Sequence, residues 1–184
     1  MAIKTGKHDT LIIGVIIVVV VVFYLFLYFA GDLVIPTGGN GTSVITPQPI
    51  GVRPVTQSVG VGDTVTVDVV NENAENLYGY QFDVNYDPDV LEFQSVEEGD
   101  LLKLDGAPTY CLNYNLDNPG IVKDVVCLRL GPVGEVSGSG ILSKITFISK
   151  SRGRSDIELT NVKLSDEDAN ALRPETSKGE VIVG

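Results

Sequence analysis

The sequence is 184 residues long, carries a formal net charge of −11 and contains one histidine, two cysteines and no tryptophan. This length provides one domain of ordinary size with additional segments. The histidine, His8, precedes an apolar run near the N-terminus, so no Ser-His-Asp, Cys-His or His-metal site is expected in the following domain. The acidic excess argues against nucleic acid or anionic lipid as a partner. We therefore expect no enzyme, metal site or cofactor in this chain.

The apolar run Leu11–Ala30 predicts a membrane-spanning helix. It contains 20 residues without a charge, and at about 1.5 Å per residue it crosses the roughly 30 Å hydrocarbon layer of a bilayer. Lys4 and Lys7 precede it, so the positive-inside rule leaves residues 1–10 in the cytoplasm and the remainder outside. We expect a single-pass signal anchor in the cell membrane that displays the domain at the cell surface. A cleaved secretory signal peptide is the alternative.

Residues 31–51 form a predicted linker, because their prolines and glycines do not support a helix or a central strand. Asn40 begins an Asn-Gly-Thr sequon just beyond the apolar run. This sequon is a candidate glycosylation site, although such triplets also occur by chance. The folded domain is predicted to occupy residues 52–184.

The domain is predicted to consist of short strands and turns. Val65, Val67 and Val69 alternate with polar residues, as in a strand with one buried face. Seven to nine short strands with regular turn signals predict an all-β sandwich. The main predicted strands are 64–69, 77–86, 90–93, 109–116, 121–130, 141–149, 157–164 and 179–183.

The segment 77–86 shows the clearest alternation of the chain. Its apolar set is Tyr78, Tyr80, Phe82, Val84 and Tyr86, and the polar residues between them include Gln81, Asp83 and Asn85. A period of two places the two sets on opposite faces of one strand. Asp87-Pro88 ends the strand, because proline has no N–H for a sheet ladder. We expect the apolar side to be core and the polar side to be open to a partner.

The two cysteines can be tested for pairing by counting along a hairpin. With a three-residue turn over 118–120, Asp117 lies opposite Ile121, and counting outwards places Cys111 opposite Cys127. Facing residues of a non-hydrogen-bonded pair lie about 4.5 Å apart at Cα, within disulfide range. A two-residue turn would place the sulfurs on opposite faces and leave two free thiols. We predict the Cys111–Cys127 disulfide.

Residues 165–172 allow two further interpretations. Ser165 and Asp168 follow the pattern of a helix capping box, which predicts one or two helical turns before Pro174. Asp166, Asp168 and Asn170 also alternate as calcium ligands do, but the glycine and glutamate of an EF-hand loop are missing. The helix cap is the favoured interpretation.

Several segments together resemble cohesin domains in their order and approximate spacing. They are Gly62–Val69, Leu77–Phe93, Glu98–Asp100, Gly140–Ser151, Ile157–Leu172 and Gly179–Gly184. The resemblance covers about residues 52–184, and its most specific parts are the turn from Tyr86 into Leu91 and the strand after Gly140. It implies a jelly-roll sandwich of about nine strands that binds dockerin modules. Any calcium would then be held by the EF-hand-like loops of the dockerin.

The resemblance also implies a binding face on strands 77–86, 109–116, 121–130 and 141–150. Alternation within each strand gives the outward residues independently, although such residues can also be an ordinary solvent face. The disulfide is expected on this same face, where three basic residues would gather. The candidate contact residues are Gln81, Asp83, Asn85, Asn113, Asn115, Lys123, Val125, Arg129, Lys144 and Thr146.

Two functional hypotheses follow. The first is a membrane-anchored, cell-surface, cohesin-like module that presents a sheet face to a dockerin-like protein. The second is a structural subunit of a surface filament, similar to a pilin, in which the apolar helices of Leu11–Ala30 form the fibre core and the sandwich is the exposed head. The sequence lacks tryptophan, which weakens a carbohydrate-binding interpretation because sugar platforms rely on exposed aromatic rings.

Overall fold

A computed structural model describes residues 47–112, 114–116 and 118–184. They form twelve strands and one short 3₁₀ helix, Leu101–Lys103. The strands are β1 Gln48–Arg53, β2 Thr56–Val59, β3 Thr64–Leu77, β4 Gly79–Asn85, β5 Leu91–Glu98, β6 Thr109–Cys111, β7 Ile121–Arg129, β8 Val136–Ser149, β9 Gly153–Ser165, β10 Ala171–Leu172, β11 Pro174–Ser177 and β12 Gly179–Val183.

Three predictions for the N-terminal part lie outside the described residues. These are the membrane helix Leu11–Ala30, residues 1–10 and the sequon at Asn40. In the described part of the chain, no helix has the length and apolarity needed to cross a bilayer. The predicted boundary between linker and domain differs from the structure, because Gln48–Gly51, expected in the linker, belongs to β1. This strand pairs with β11 through Gln48–Gly51 and with β3 through Ile50–Arg53.

The strands form two sheets, which confirms the predicted all-β sandwich. One sheet has the order β11-β1-β3-β8-β5, and the other has the order β2-β12-β9-β4-β7-β6, with β10 attached to β9. The count exceeds nine because the first stretch of chain divides between the sheets as β1 and β2, and because β10 and β11 are short additional strands. In this topology β4 lies between β9 and β7, at the middle of the second sheet.

The core lies between the two sheets and is formed by the alternating apolar residues of both. Tyr80, Phe82 and Val84 of β4 are at most 1% exposed and belong to it, as the alternation predicts. The Tyr80 hydroxyl donates a hydrogen bond of 2.7 Å to the Leu142 carbonyl of β8, which links the sheets. Burial raises the pKa of Tyr80 well above its usual range, so the hydroxyl stays a donor at physiological pH.

The predicted helix at 165–172 is wrong. Ser165 ends β9, and β10 folds back to pair with it. The Asp166 carboxylate accepts hydrogen bonds from the backbone and side-chain amides of Asn170 at 2.7 and 2.9 Å, while Ala169 adopts a positive φ of 62°. These contacts close a turn between antiparallel strands. Side-chain capping by aspartate therefore favours the turn over a helical continuation.

Candidate partner-binding face

The candidate face is the outer surface of the second sheet, where β9, β4, β7 and β6 are neighbours. Three of these strands were predicted, but the fourth was not. Lys144 and Thr146 point outwards from β8 as expected, yet β8 belongs to the five-stranded sheet between β3 and β5. Lys144 forms an ion pair of 3.2 Å with Asp68 there. The fourth strand of the candidate face is therefore β9, in the place that was predicted for the strand 141–150.

The polar residues of β4 lie on the outer face, but two of them are not exposed. Gln81 is 9% exposed and Asp83 is 5% exposed. Asn85 is half-buried and donates a hydrogen bond of 2.8 Å to the Thr160 hydroxyl of β9. The prediction that the polar side of β4 is open to a partner is therefore wrong for Gln81 and Asp83, because the neighbouring strands and their side chains enclose a central strand.

Asp83 connects the two strands that flank β4. Its carboxylate accepts a 2.9 Å hydrogen bond from the backbone N–H of Asp124 in β7 and a 2.5 Å hydrogen bond from the Asn161 side-chain amide in β9. Asp124 and Asn161 have positive φ values of 57° and 51°. At the level of Asp83 the pairing register of β4 shifts against β7 and also against β9. Asp83 thus stabilises an irregularity on each side of the central strand.

The irregularity at Asp124 reverses the alternation of β7. Val122 and Val125 are three residues apart and both belong to the core cluster. Val125 is 2% exposed, so its predicted outward position is wrong. One extra residue in a strand moves the side chains that follow it to the opposite face of the sheet. The period-two pattern of the sequence does not reveal where such an extra residue lies.

The same reversal turns the side chain of Arg129 into the protein, where none of its surface is exposed. Its guanidinium donates to the Leu102 carbonyl and to the Asp105 carboxylate, both at 2.5 Å. The hydrogen bond from Arg129 holds the pKa of Asp105 below its usual range. The prediction of Arg129 as a partner contact is wrong, and its side chain instead fixes the segment after the 3₁₀ helix. Lys123, Arg129 and Lys144 therefore do not gather on one face.

The structure confirms the disulfide and the hairpin register. Cys111 and Cys127 are bonded, with their Cα atoms 4.1 Å apart. Further along the hairpin, the bridge between Asn115 and Lys123 follows the predicted pairing. Cys127, however, is 3% exposed and part of the core, so the bond does not lie on the outer face as expected. Asn115 and Lys123 are half-buried, and Asn113 lies outside the described residues.

A group of apolar side chains, here called the apolar region, occupies the outer side of the β6–β7 hairpin. Tyr110 and Leu130 are 40% and 36% exposed, whereas Val126 and Leu128 are buried on this side, away from the core cluster. The sequence prediction missed this region, because regular alternation assigns Val126 and Leu128 to the core. Its members are Tyr110, Leu112, Val126, Leu128 and Leu130.

The opposite corner of the same face holds a shallow groove of about 500 Å³, here called the acidic groove. Arg154 and Lys178 partly neutralise it through ion pairs with Glu180 at 2.9 Å and Asp156 at 2.6 Å. The contact with Asp156 raises the pKa of Lys178, which keeps that amine charged. The groove is lined by Asn85, Tyr86, Arg154 and the carboxylates of Asp87, Asp156, Glu158 and Glu180.

Comparison with known families gives a match over most of the chain. Residues 51–183 match the model of the cohesin domain. No curated protein shows significant sequence similarity to the chain.

Solved structures with the same fold include cohesins from an archaeon and from bacteria. A non-cellulosomal cohesin of Archaeoglobus fulgidus is 21% identical, with a TM-score of 0.59 over 76% of this chain and 92% of that chain. The sixth cohesin of Acetivibrio cellulolyticus scaffoldin B, solved in complex with a Cel5 dockerin, is 19% identical, with a TM-score of 0.61 over 76% of this chain and 100% of that chain. The Clostridium thermocellum cohesin of the Coh-OlpC-Doc435 complex is 19% identical, with a TM-score of 0.60 over 74% and 93%.

Proposed function

This chain belongs to the cohesin domain family, a family of protein-binding modules, and we propose that it binds a dockerin-like protein through the outer face of the β9-β4-β7-β6 sheet. Two of the similar structures are cohesin–dockerin complexes, which supports a dockerin as the kind of partner. The observation that carries the choice of face is the apolar region on the β6–β7 hairpin.

The apolar region has the properties of a docking surface. Its centre, Val126 and Leu128, is already buried, whereas Tyr110 and Leu130 still expose apolar area to solvent. Covering such a patch with a partner removes apolar surface from water, at roughly 25 cal/mol per Å². The Cys111–Cys127 disulfide joins β6 to β7 and reduces the freedom of this hairpin. A preorganised aromatic side chain such as Tyr110 is a typical anchor of protein interfaces.

The proposal can be tested with a panel of calcium-loaded dockerin modules. We expect at least one to bind the full chain, held in solution by a mild detergent, and to dissociate when a chelator removes its calcium. The double variant Tyr110→Ser/Leu130→Ser should weaken this binding about 30-fold, since two interface anchors are lost. The matched control is Lys144→Glu on the five-stranded sheet, which should bind as the wild type does.

The control also decides between the two sheets. Binding that falls with Lys144→Glu and not with the double variant would place the partner on the five-stranded sheet instead. No binding by any dockerin of a broad panel would count against a dockerin-like partner. Biolayer interferometry gives the dissociation constants for both comparisons.

We also propose that Leu11–Ala30 anchors the module in the cell membrane, with the folded domain at the cell surface. The support is the length and apolarity of this run and the lysines that precede it. N-terminal sequencing of the mature protein and membrane fractionation test the proposal. An intact Met1 in the membrane fraction is expected. Cleavage after Gly6 would favour the filament subunit, and cleavage after Ala30 would favour a secreted domain.

A further inference from the structure

We propose that the reduced form of this domain binds a zinc-like divalent cation through the thiolates of Cys111 and Cys127 and the carboxylate of Glu98. The inference goes beyond the proposed function and does not depend on any protein partner. No metal site was expected from the sequence, because the domain contains no histidine. Glu98 comes from the opposite sheet, so only the tertiary structure brings it beside the two cysteines.

The three side chains meet where β5 of one sheet approaches β6 and β7 of the other. A carboxylate oxygen of Glu98 and the sulfurs of Cys111 and Cys127 all lie within 4.8 Å of one another. The two cysteines face each other across the hairpin, and Glu98 is the last residue of β5. The rings of Phe93 and Tyr114, with centroids 5.1 Å apart, also join β5 to the hairpin. The ligand atoms are therefore close enough to share one cation after small side-chain rotations.

The carboxylate of Glu98 has one oxygen without a hydrogen-bond partner. Its Oε2 accepts a 2.8 Å hydrogen bond from the ammonium of Lys103. Its Oε1 is buried, and no donor among the described residues reaches this atom. A buried acceptor that stays unpaired costs free energy. The sulfurs of a disulfide carry no proton and cannot remove this cost, whereas a cation bound by the reduced sulfurs beside Glu98 would remove it.

The redox state of the cysteines decides whether the site exists. A dithiol state precedes every disulfide, and a dithiol reductant restores it. Two electrons from this reductant break the Cys111–Cys127 bond, its two protons pass to the two sulfurs, and the reductant closes to its own disulfide. Cys111 is exposed, so a reductant can reach the bond. Binding of the cation then releases the two thiol protons, because the thiolates are the ligands.

The ligand set favours zinc over calcium or magnesium. Thiolates are soft ligands that select zinc-like ions, whereas calcium and magnesium take oxygen ligands. Two thiolates and one carboxylate supply three of the four positions of a tetrahedral zinc site and leave the fourth for water. Such a cation would connect the two sheets through Glu98, whereas the disulfide joins only β6 to β7 within one sheet.

The test measures zinc binding to the untagged full chain in a mild detergent, by competition with a chromophoric zinc chelator. A phosphine serves as the reductant, because it is converted to a phosphine oxide with oxygen from water and adds no thiol ligand. We expect one zinc ion per reduced chain and only background binding to the oxidised chain or to Cys111→Ser/Cys127→Ser. X-ray absorption at the zinc edge should show two sulfur neighbours at about 2.3 Å and oxygen neighbours at about 2.0–2.2 Å.

The variant Glu98→Gln distinguishes a three-ligand site from a bare pair of thiolates. It should weaken zinc binding to the reduced chain at least about tenfold, since one of the three ligands is lost. The matched control, Glu97→Gln, removes the same charge from the exposed neighbouring residue and should stay within about threefold of the wild type. Lys103→Gln removes the ion pair but keeps the carboxylate, and should also stay within about threefold.

Thermal unfolding gives a second readout, which applies even where reduction loosens the fold. Excess zinc should raise the melting temperature of the reduced wild type by about 5 °C or more, and that of Glu98→Gln much less. Absent zinc binding by the reduced wild type, or equal binding by the wild type and Glu98→Gln, overturns the inference. Equal losses in Glu98→Gln and Lys103→Gln also overturn it, because the ion pair would then explain the effect. Dockerin binding is measured on the oxidised chain, so each of these results leaves the proposed function standing.

Discussion

Two neighbouring parts of one sheet face behave in opposite ways. On β4, the polar side chains of Gln81 and Asp83 are at least nine-tenths buried. On the β6–β7 hairpin, the apolar side chains of Tyr110 and Leu130 are more than one-third exposed. Both groups lie on the outer side of the sheet. The difference arises from position, because β4 has a strand on either side, whereas β6, among the residues that the structure describes, lies at the edge of the sheet beside β7.

This contrast distinguishes the direction of a side chain from its exposure. Alternation along β4 correctly places Gln81 and Asp83 on the outer side, but their burial comes from contacts with β7 and β9. A polar group on a central strand is then satisfied within the sheet and stabilises it. An apolar group on the edge hairpin remains available for a partner. Four predictions test this division between internal and available side chains.

The largest effect on stability is expected at the disulfide. Cys111→Ser/Cys127→Ser opens a loop with a sequence separation of 16 residues, which should lower the free energy of unfolding by about 3 kcal/mol. Denaturant titration followed by circular dichroism gives this value. Reduced wild-type protein is the control and should match the variant. A change below about 1 kcal/mol would mean that the contacts between β6 and β7 hold the hairpin together without the disulfide.

A smaller loss is expected at the centre of the sheet. Asp83→Ala leaves the Asp124 amide and the Asn161 side chain without their acceptor, and should cost about 2 kcal/mol. Hydrogen exchange of the Asp124 amide should accelerate at the same time. Asn85→Ala on the same strand removes one neutral hydrogen bond and should cost about 1 kcal/mol or less. Equal losses for the two variants would contradict a special role for Asp83.

The contact between Arg129 and Asp105 should make a small contribution to the stability of the fold, and this contribution should depend on pH. The pKa of Asp105 is lower in the folded state, so its contribution is present above the unfolded pKa of about 3.9 and is lost as pH falls through the folded value. The melting temperature of the wild type should exceed that of Asp105→Asn at pH 7, and the two should converge in more acidic solution. A difference that stays constant with pH would argue against this ionic contribution.

The smallest effect on stability is expected in the apolar region. Tyr110→Ser/Leu130→Ser should change the free energy of unfolding by no more than about 0.5 kcal/mol, because these side chains are exposed. Val125→Ser, on the inner side of the same hairpin, should cost more than about 2 kcal/mol. Chemical denaturation compares them directly. A large loss of unfolding free energy in Tyr110→Ser/Leu130→Ser would show that these two side chains stabilise the fold, and would argue against a role in partner binding alone.

Much of the fold could be predicted because its signals are local. The alternation in 77–86 correctly identifies Tyr80, Phe82 and Val84 as core. The turn around 118–120 fixes the hairpin count, and with it the pairing of Cys111 with Cys127. Each of these signals depends on neighbouring residues or on a single turn. For such features, chain connectivity leaves few alternatives.

The site was harder to predict because its determinants are distant in sequence. The neighbour of β4 is β9, not β8, and this is decided by pairing of residues about 80 positions apart. The extra residue at Asp124 depends on an acceptor supplied by Asp83 from another strand. Arg129 is drawn inwards by Leu102 and Asp105. The alternation of apolar and polar residues along one strand carries no information about these contacts.

The sequence by itself thus determined the sandwich class, the apolar faces of β3 and β4, the disulfide and the resemblance to cohesins. Tertiary structure alone decided which strands share the candidate face and which of its residues are accessible. The physical reason is that strand direction and alternation follow from the local backbone, whereas sheet order and burial follow from long-range pairing. Gln81 and Tyr110 show both sides of this division, since each lies on the outer face and only Tyr110 is exposed there.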